Sequence, residues 1–241
     1  MITSLLAWTA MQQDTGFIEK LSDHLVEFEM VRVPDSASQS IEGLWAMKTE
    51  VTFDLLEIWF LRMDLTEEEE VAGVDAESRP SKPYGAIFIG HSMKGTPAIC
   101  VTHESATLFA QWLSAKTGRH YRLPSVSEWE YIARAGATED PGPIEDYAWV
   151  WSNGDDSIQK VGKLKPNAWG IHDCLGNVAE WAESSDGPVA CGGSFRDKEV
   201  SFSMREAQIP AWTEADPQNP KSRWWLSNGQ HVGFRLVCSQ K

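Results

Sequence analysis

The chain has 241 residues, and its 35 acidic against 21 basic side chains give a formal net charge of -14 at pH 7. Nucleic-acid binding needs a clustered basic surface, whereas the longest charge run, residues 67–70, is acidic, so nucleic acids and anionic membrane surfaces are not expected partners. No apolar run reaches the roughly 18 residues of a transmembrane helix, so we expect no integral membrane segment. With 42% hydrophobic residues, the composition is that of a globular protein.

The amino-terminal stretch of residues 2–11, ITSLLAWTAM, is apolar and is followed abruptly by polar residues. It has two interpretations: the end of a secretory leader, although no Lys or Arg precedes it, or an amphipathic helix that packs on the domain. We therefore divide the chain into a leader or packing segment, residues 1–25, and one domain, residues 26–241. The leader interpretation brings with it the hypothesis of a secreted or periplasmic location.

The cysteine pattern leaves the redox compartment open. The four cysteines form no C-x-x-C pair and have no zinc-ligand spacing with the six histidines, so a zinc site of the usual kind is not expected. Their even number permits two disulfides and equally suits four buried thiols. The cysteines are Cys100, Cys174, Cys191 and Cys238.

Short apolar segments predict three strands in the first half of the chain. Val26, Phe28 and Met30 alternate with polar residues, and Pro34 ends this run. The other two segments are bounded by turn or capping residues. The predicted strands are residues 26–33, 44–51 and 98–102.

Apolar spacing and capping residues predict three helices. Thr52 precedes an amphipathic stretch, Gly118 supplies a carboxy-terminal stop for the second helix, and Ser125 with Glu128 forms a capping box at the third. The predicted helices are residues 52–63, 103–117 and 126–135. Between the first two, residues 64–86 combine the acidic run with Ser, Pro and Gly, which predicts an exposed loop.

After residue 136 the helical period ends. Short apolar or aromatic segments alternate with Gly, Pro, Asn and Asp, which predicts small strands and long structured loops. No internal repeat of 20 to 50 residues is present, so a solenoid or propeller is not expected. The chain is therefore predicted to form one loop-rich α+β domain.

Four segments carry a recognisable series of motifs: residues 47–52 (MKTEVT), 101–106 (VTHESA), 122–131 (RLPSVSEWEY) and 166–181 (PNAWGIHDCLGNVAEW). The tail adds residues 192–195 (GGSF), Arg205 and residues 233–237 (GFRLV). Together they resemble the formylglycine-generating enzyme (sulfatase-modifying factor) family, whose fold resembles that of C-type lectins. The resemblance extends from about residue 26 to the end of the chain, and it implies the same single α+β domain.

The spacing D-x-x-G-x-V-x-E places two carboxylates around two backbone carbonyls within eight residues. Such an all-oxygen set suits a hard cation such as Ca²⁺. The resemblance implies the same, because family members bind calcium with the corresponding groups. The alternative is a turn whose acids are solvated or accept backbone hydrogen bonds. The predicted ligands of a structural Ca²⁺ are the Asp173 and Glu180 side chains and the Gly176 and Val178 carbonyls.

The catalytic positions depart from the family pattern. Members that oxidise a sulfatase cysteine to formylglycine carry two cysteines after the G-G-S-[YF] turn, and the matching spacings here hold Asp197 and Phe202. Copper(I) needs thiolate ligands, which a carboxylate and a phenyl ring cannot replace. Formylglycine formation by the family's route is therefore not expected, and the catalytic residues stay unknown. Cys174 and Cys191 form a candidate relocated pair, with buried apolar cysteines as the alternative.

Three functions from different classes follow from these residues. The first is a calcium-stabilised binding or regulatory domain with a protein or peptide partner. The second is an oxidoreductase of altered chemistry that acts on a peptide or a small thiol or amine, and the third, least favoured, is calcium-mediated carbohydrate binding. A Trp-rich tail offers either a binding surface or core packing. Its members are Trp212, Trp224 and Trp225.

Overall fold

The computed structural model describes residues 16–21, 26–66, 79–83, 85, 87–88, 90 and 93–239. The first described element is strand β1 (Gly16–Leu21), which pairs antiparallel with β2 (Val26–Arg32). The sheet therefore starts before the domain boundary expected at residue 26. The apolar stretch 2–11 and the acidic run 67–70 lie outside the described residues, so the leader and packing interpretations stay predictions.

Seven further short strands complete two sheets. They are β3 (Leu44–Met47), β4 (His120–Arg122), β5 (Ala179–Ala182), β6 (Val189–Cys191), β7 (Arg205–Ala207), β8 (Val232–Gly233) and β9 (Val237–Ser239). The larger sheet has the order β1-β2-β3-β9-β4, and the smaller has the order β7-β6-β5-β8. All neighbouring strands are antiparallel except β5 and β8, which are parallel.

The predicted strand over residues 98–102 is wrong. Cys100 has a φ of 62°, in the left-handed region, which interrupts an extended run. Val101 forms only an isolated bridge with Trp225. The predicted strand 44–51 also ends early, at Met47, because the chain turns there towards the next helix. The local apolar pattern thus identified buried segments more reliably than extended ones.

All three predicted helices are present: α1 (Phe53–Phe60), α2 (His103–Thr117) and α3 (Val126–Arg134). The Thr102 hydroxyl accepts from the Ser105 N–H and caps α2, while Ser125 and Glu128 form the expected capping box at α3. Helix α1 ends three residues before the predicted position, and Arg62 beyond it has a left-handed φ of 59°. Side-chain caps therefore fix the starts of α2 and α3, whereas the Thr52 side chain makes no capping hydrogen bond at the start of α1.

Residues 137–239 contain no α-helix, and all of them are described. They form the five strands β5 to β9, two short 3₁₀ helices and long loops, which confirms the predicted loop-rich carboxy-terminal half. Among the described residues, the longest helix, α2, has 15 residues, and no helix is both long and apolar enough to cross a membrane.

Aromatic side chains fill the core between the helices and the two sheets. Trp59 packs edge-on against Phe109 and Trp224, with ring centroids 5.7 and 6.4 Å apart. Trp224 and Trp225 are buried, and so is Trp212. The Trp-rich tail is therefore part of the core, and the binding-surface interpretation of these three residues is wrong.

Candidate functional site

Three buried carboxylates come together from segments next to both sheets. Glu50 lies between β3 and α1, Asp173 lies in the loop before β5, and Glu180 lies in β5. The His172 N–H donates to the Lys48 carbonyl at 2.8 Å, which joins the first two segments. Glu50 and Glu180 have no exposed surface, and Asp173 is 2% exposed. Acids buried this deeply need donors or opposite charge.

Arg235, between β8 and β9, supplies the positive charge. Its Nε and Nη2 donate to the two oxygens of Glu180 at 2.7 and 2.6 Å. The remaining contacts go to backbone carbonyls, with Nη1 donating to Met47 and Nη2 to His172. The Trp129 indole N–H also donates to Glu180, at 2.8 Å. Both Glu180 oxygens are thus engaged in a bidentate ion pair.

Glu50 and Asp173 are each only half satisfied. The Asn177 amide donates to Glu50 Oε1 at 2.9 Å, and the Gly162 N–H donates to Asp173 Oδ2 at 2.6 Å. Glu50 Oε2 and Asp173 Oδ1 are buried and have no hydrogen-bond partner among the described residues. Burial, together with the charges of Asp173 and Glu180, raises the pKa of Glu50 well above its usual value. Burial likewise raises the pKa of Asp173.

The four predicted calcium ligands lie in one buried segment, but the Asp173 and Glu180 carboxylates differ in how many of their oxygens already accept hydrogen bonds. Asp173 and Gly176 have left-handed φ values of 56° and 70°, so the segment turns sharply between them. Among the described residues, Asp173 Oδ1 has no hydrogen-bond partner, whereas both Glu180 oxygens bind Arg235. No three His, Cys, Asp or Glu side chains of the described residues are grouped to hold one metal ion. Calcium binding therefore stays a prediction, and it would depend on backbone oxygens.

Glu50 is the site residue that the sequence reasoning missed. Its segment, TEVT, served only to identify a strand-to-helix step. The available signal was an acidic residue placed directly between the apolar β3 and the buried start of α1, where a solvated side chain is not expected.

The two positions that match the family's catalytic cysteines have structural roles here. Asp197 Oδ2 accepts hydrogen bonds from the Ser194 N–H at 2.8 Å and from its hydroxyl at 3.0 Å, which closes the turn after β6. Phe202 is buried, and the Arg134 guanidinium lies 4.7 Å from its ring centroid. A carboxylate committed to a turn and a packed phenyl ring do not fit copper(I).

All four cysteines are buried and none forms a disulfide. Of the two interpretations of their even number, the structure therefore has four buried thiols and not two disulfides. Burial raises the pKa of Cys174 and of Cys191 to about 12. Without a bound metal, both thiols are therefore neutral near pH 7. This environment favours a packing role for the candidate relocated pair.

A cavity of about 540 Å³ lies beside Cys174 and Phe202. Its lining is mostly apolar and includes Tyr147, Ile171, Asp173, Cys174 and Phe202. Two basic residues lie along it, Arg134 and Lys165, and each forms an ion pair with an acidic neighbour. The two basic side chains are therefore already paired, and the mostly apolar lining can accept an apolar group.

Comparison with protein families gives one match that spans nearly the whole chain: the sulfatase-modifying factor enzyme 1-like domain, over residues 16–240. The formylglycine-generating enzyme of Mycobacterium tuberculosis is 32% identical over 120 residues, which are 41% of this chain and 37% of that enzyme. That of Streptomyces coelicolor is 27% identical over 131 residues, 45% of this chain and 38% of that enzyme. The matches thus span well under half of these curated relatives.

Solved structures share the fold at low sequence identity. Treponema denticola variable protein 1 superposes with a TM-score of 0.61 and 20% identity, covering 92% of this chain and 99% of that one. PvdO from Pseudomonas aeruginosa gives a TM-score of 0.56 and 21% identity, covering 93% and 98% of the two chains. At such identities the similarity concerns architecture alone.

Proposed function

Because the chain belongs to the sulfatase-modifying factor enzyme 1-like domain family yet has Asp197 and Phe202 where the family's thiols are expected, we propose that it binds a partner and does not oxidise it. The proposed partner is a protein or peptide segment with an apolar side chain. Loop-rich scaffolds commonly carry binding sites in this way. Nucleic acids remain unexpected, because the net charge is -14.

The observation that carries this proposal is the cavity wall beside Phe202. A phenyl ring there extends an apolar surface at a position where a copper site would need sulfur. The volume of about 540 Å³ lies within the range of roughly 300–1,000 Å³ for small-ligand sites. Burial of an apolar side chain in such a cavity contributes about 25 cal/mol per Å² removed from water.

We expect no aldehyde when the protein is incubated with a sulfatase-motif peptide, copper and a reductant. Two thiolates are needed to bind and activate the metal, so their absence should remove the reaction and not merely slow it. Mass spectrometry of the peptide gives the readout, with the mycobacterial formylglycine-generating enzyme as positive control. Loss of thiol mass with aldehyde formation contradicts the proposal. Oxygen consumption with peptides, small thiols or amines would instead support an oxidoreductase of altered chemistry.

Filling the cavity should weaken the binding of an apolar probe. Ala168 lines the cavity and is exposed, so Ala168→Trp should occupy the space without disturbing the core. The fluorescence of anilinonaphthalene sulfonate should rise with the wild-type protein and rise less with this variant. Ala215→Trp is the matched control, because Ala215 is exposed elsewhere. Equal probe binding by both variants would argue against a ligand site in this cavity.

A structural Ca²⁺ near Asp173, Gly176 and Val178 is part of the same proposal. It is supported by the Asp173 oxygen that has no hydrogen-bond partner in the described part of the chain, and by the all-oxygen chemistry of the segment. The ion would neutralise buried charge and hold the loop that carries Cys174 into the cavity wall. Glu180 forms an ion pair with Arg235, so no free carboxylate oxygen supports its predicted role as a calcium ligand. A secreted or periplasmic location is likewise proposed and awaits a localisation experiment.

A further inference from the structure

A lysine-rich loop forms one wall of the cavity. Residues 160–168 read KVGKLKPNA, and residues 165–168 of this loop belong to the cavity lining. No acidic residue occurs between positions 160 and 172. The side chains of Lys160, Lys163 and Lys165 are all exposed. A chain with a net charge of -14 therefore presents a local group of positive charges at the edge of an apolar cavity.

The backbone of this loop is held in place although it has no helix or strand. The Gly162 N–H donates to Asp173 Oδ2 at 2.6 Å, and the Lys165 N–H donates to the Asp146 carbonyl at 2.9 Å. The lysines are thus attached to a fixed backbone, with only their side chains free to move. A partner that binds them does not have to order the loop first, which lowers the entropic cost of binding.

Two of the three lysines keep their charge available for a partner. Lys165 forms an ion pair with Asp146 at 2.7 Å. Lys160 and Lys163 form no ion pair with any acid in the described part of the chain. Exposed charges of this kind contribute little to folding stability, so their use in binding would not weaken the fold.

A fourth lysine lies next to the loop. The Val161 N–H donates to the Gly95 carbonyl at 2.9 Å, which brings the neighbouring Lys94 beside residues 160–163. Lys94 is exposed and has no ion-pair partner among the described acids. The positive group therefore combines side chains from two segments that are distant in sequence.

The charge along the cavity lining changes sign in another segment. Glu139 and Asp140 directly precede Pro141, which lines the cavity. Asp140 Oδ1 accepts the Phe202 N–H at 3.0 Å, so this acid is held beside the cavity wall. A negatively charged ligand is repelled there and attracted to the lysine loop. The two segments thus favour one orientation of a ligand that carries its charge at one end.

We propose that the binding partner is an acidic peptide segment whose apolar side chain enters the cavity and whose carboxylates lie along residues 160–165. This inference rests on the proposed function and specifies the chemistry of the partner. Complementary charge at the rim speeds association and selects among partners, whereas the apolar side chain supplies most of the affinity. A nucleic acid fits less well, because its phosphates would also face the acidic remainder of the surface.

Fluorescence anisotropy of the full-length protein with three labelled peptides tests this proposal. Each peptide contains one leucine, followed by three glutamates, three serines or three lysines. The glutamate peptide should bind most tightly and the lysine peptide most weakly. This order should disappear at about 1 M salt, where the screening length is only about 3 Å.

A charge reversal in the loop gives the decisive comparison. Lys160→Glu with Lys163→Glu should weaken binding of the glutamate peptide about tenfold and strengthen binding of the lysine peptide. A gain for the lysine peptide cannot come from misfolding. Lys20→Glu with Lys82→Glu is the matched control, because it changes the net charge equally at exposed lysines outside the loop. The control should change the affinity for either peptide much less.

Several outcomes would overturn the proposal. Equal binding of the glutamate and serine peptides excludes an acidic partner, as does equal weakening by the loop and control variants. An oligothymidylate of equal charge that binds as tightly as the glutamate peptide would indicate a nucleic acid instead. Ala168→Trp separates the two proposals: if it weakens the serine peptide while the loop variant changes nothing, the apolar site stands and the acidic partner does not.

Discussion

Replacement of Arg235 by methionine is expected to lower the free energy of unfolding by about 3–5 kcal/mol. The guanidinium is fully buried and donates to both oxygens of Glu180. Removing it leaves Glu180 without its ion-pair partner, beside Glu50 and Asp173. Urea unfolding followed by circular dichroism measures the change.

Two further variants show whether the ion pair is the cause. Lys20→Met removes an ion pair with Glu27 whose side chains are 68% and 59% exposed, so it should cost less than about 1 kcal/mol. The double variant Arg235→Met with Glu180→Met replaces both partners by apolar groups and should recover most of the loss. A loss below about 1 kcal/mol for Arg235→Met alone would contradict the central role of this pair.

Gly192→Ala is expected to lower the free energy of unfolding by about 2–5 kcal/mol. Gly192 has a φ of +91°, and a Cβ there would lie 2.5 Å from the Cys174 carbonyl oxygen and 2.8 Å from the Trp129 ring. The cost of an alanine in a left-handed backbone conformation and the cost of overpacking therefore both lower the free energy of unfolding. The clash also pushes on Trp129, whose indole N–H donates to Glu180, so the cluster should be disturbed.

Gly170→Ala separates the two causes. Gly170 has a similar φ of +83°, but a Cβ there would meet no atom within 4 Å. This variant should cost only the backbone term of about 1–2 kcal/mol. Thermal and urea unfolding of both variants give the comparison. Equal losses would show that the close contact with Cys174 and Trp129 relaxes at no cost.

The sequence predicted those parts of the fold that short-range chemistry determines. Helices α2 and α3 begin where Thr102 and Ser125 cap them, because a cap involves only residues a few positions away. Strands were less predictable, because their partners are distant in the chain. Strand β9 pairs with β3 and with β4, and neither pairing can be inferred from the apolar pattern of residues 237–239 alone.

The same distinction between local and long-range interactions explains which parts of the candidate site were predictable. Asp173 and Glu180 were singled out from their local spacing together with the family resemblance, and both are buried. The ion pair of Glu180 with Arg235 joins residues 55 positions apart, and the hydrogen bond of Glu50 with Asn177 joins residues 127 positions apart. Such contacts depend on the tertiary fold, so the spacing could not indicate which carboxylate lacks a partner.

The strand order also has a consequence for the growing chain during synthesis. Strand β9 lies between β3 and β4, and β8 pairs with β5, so residues 232–239 complete both sheets. Until they leave the ribosome, the edges of β3, β4 and β5 remain unpaired. Unpaired edges promote association between chains, and synthesis proceeds at about 5–20 residues per second. The two sheets can therefore be completed only after residues 232–239 have been synthesised.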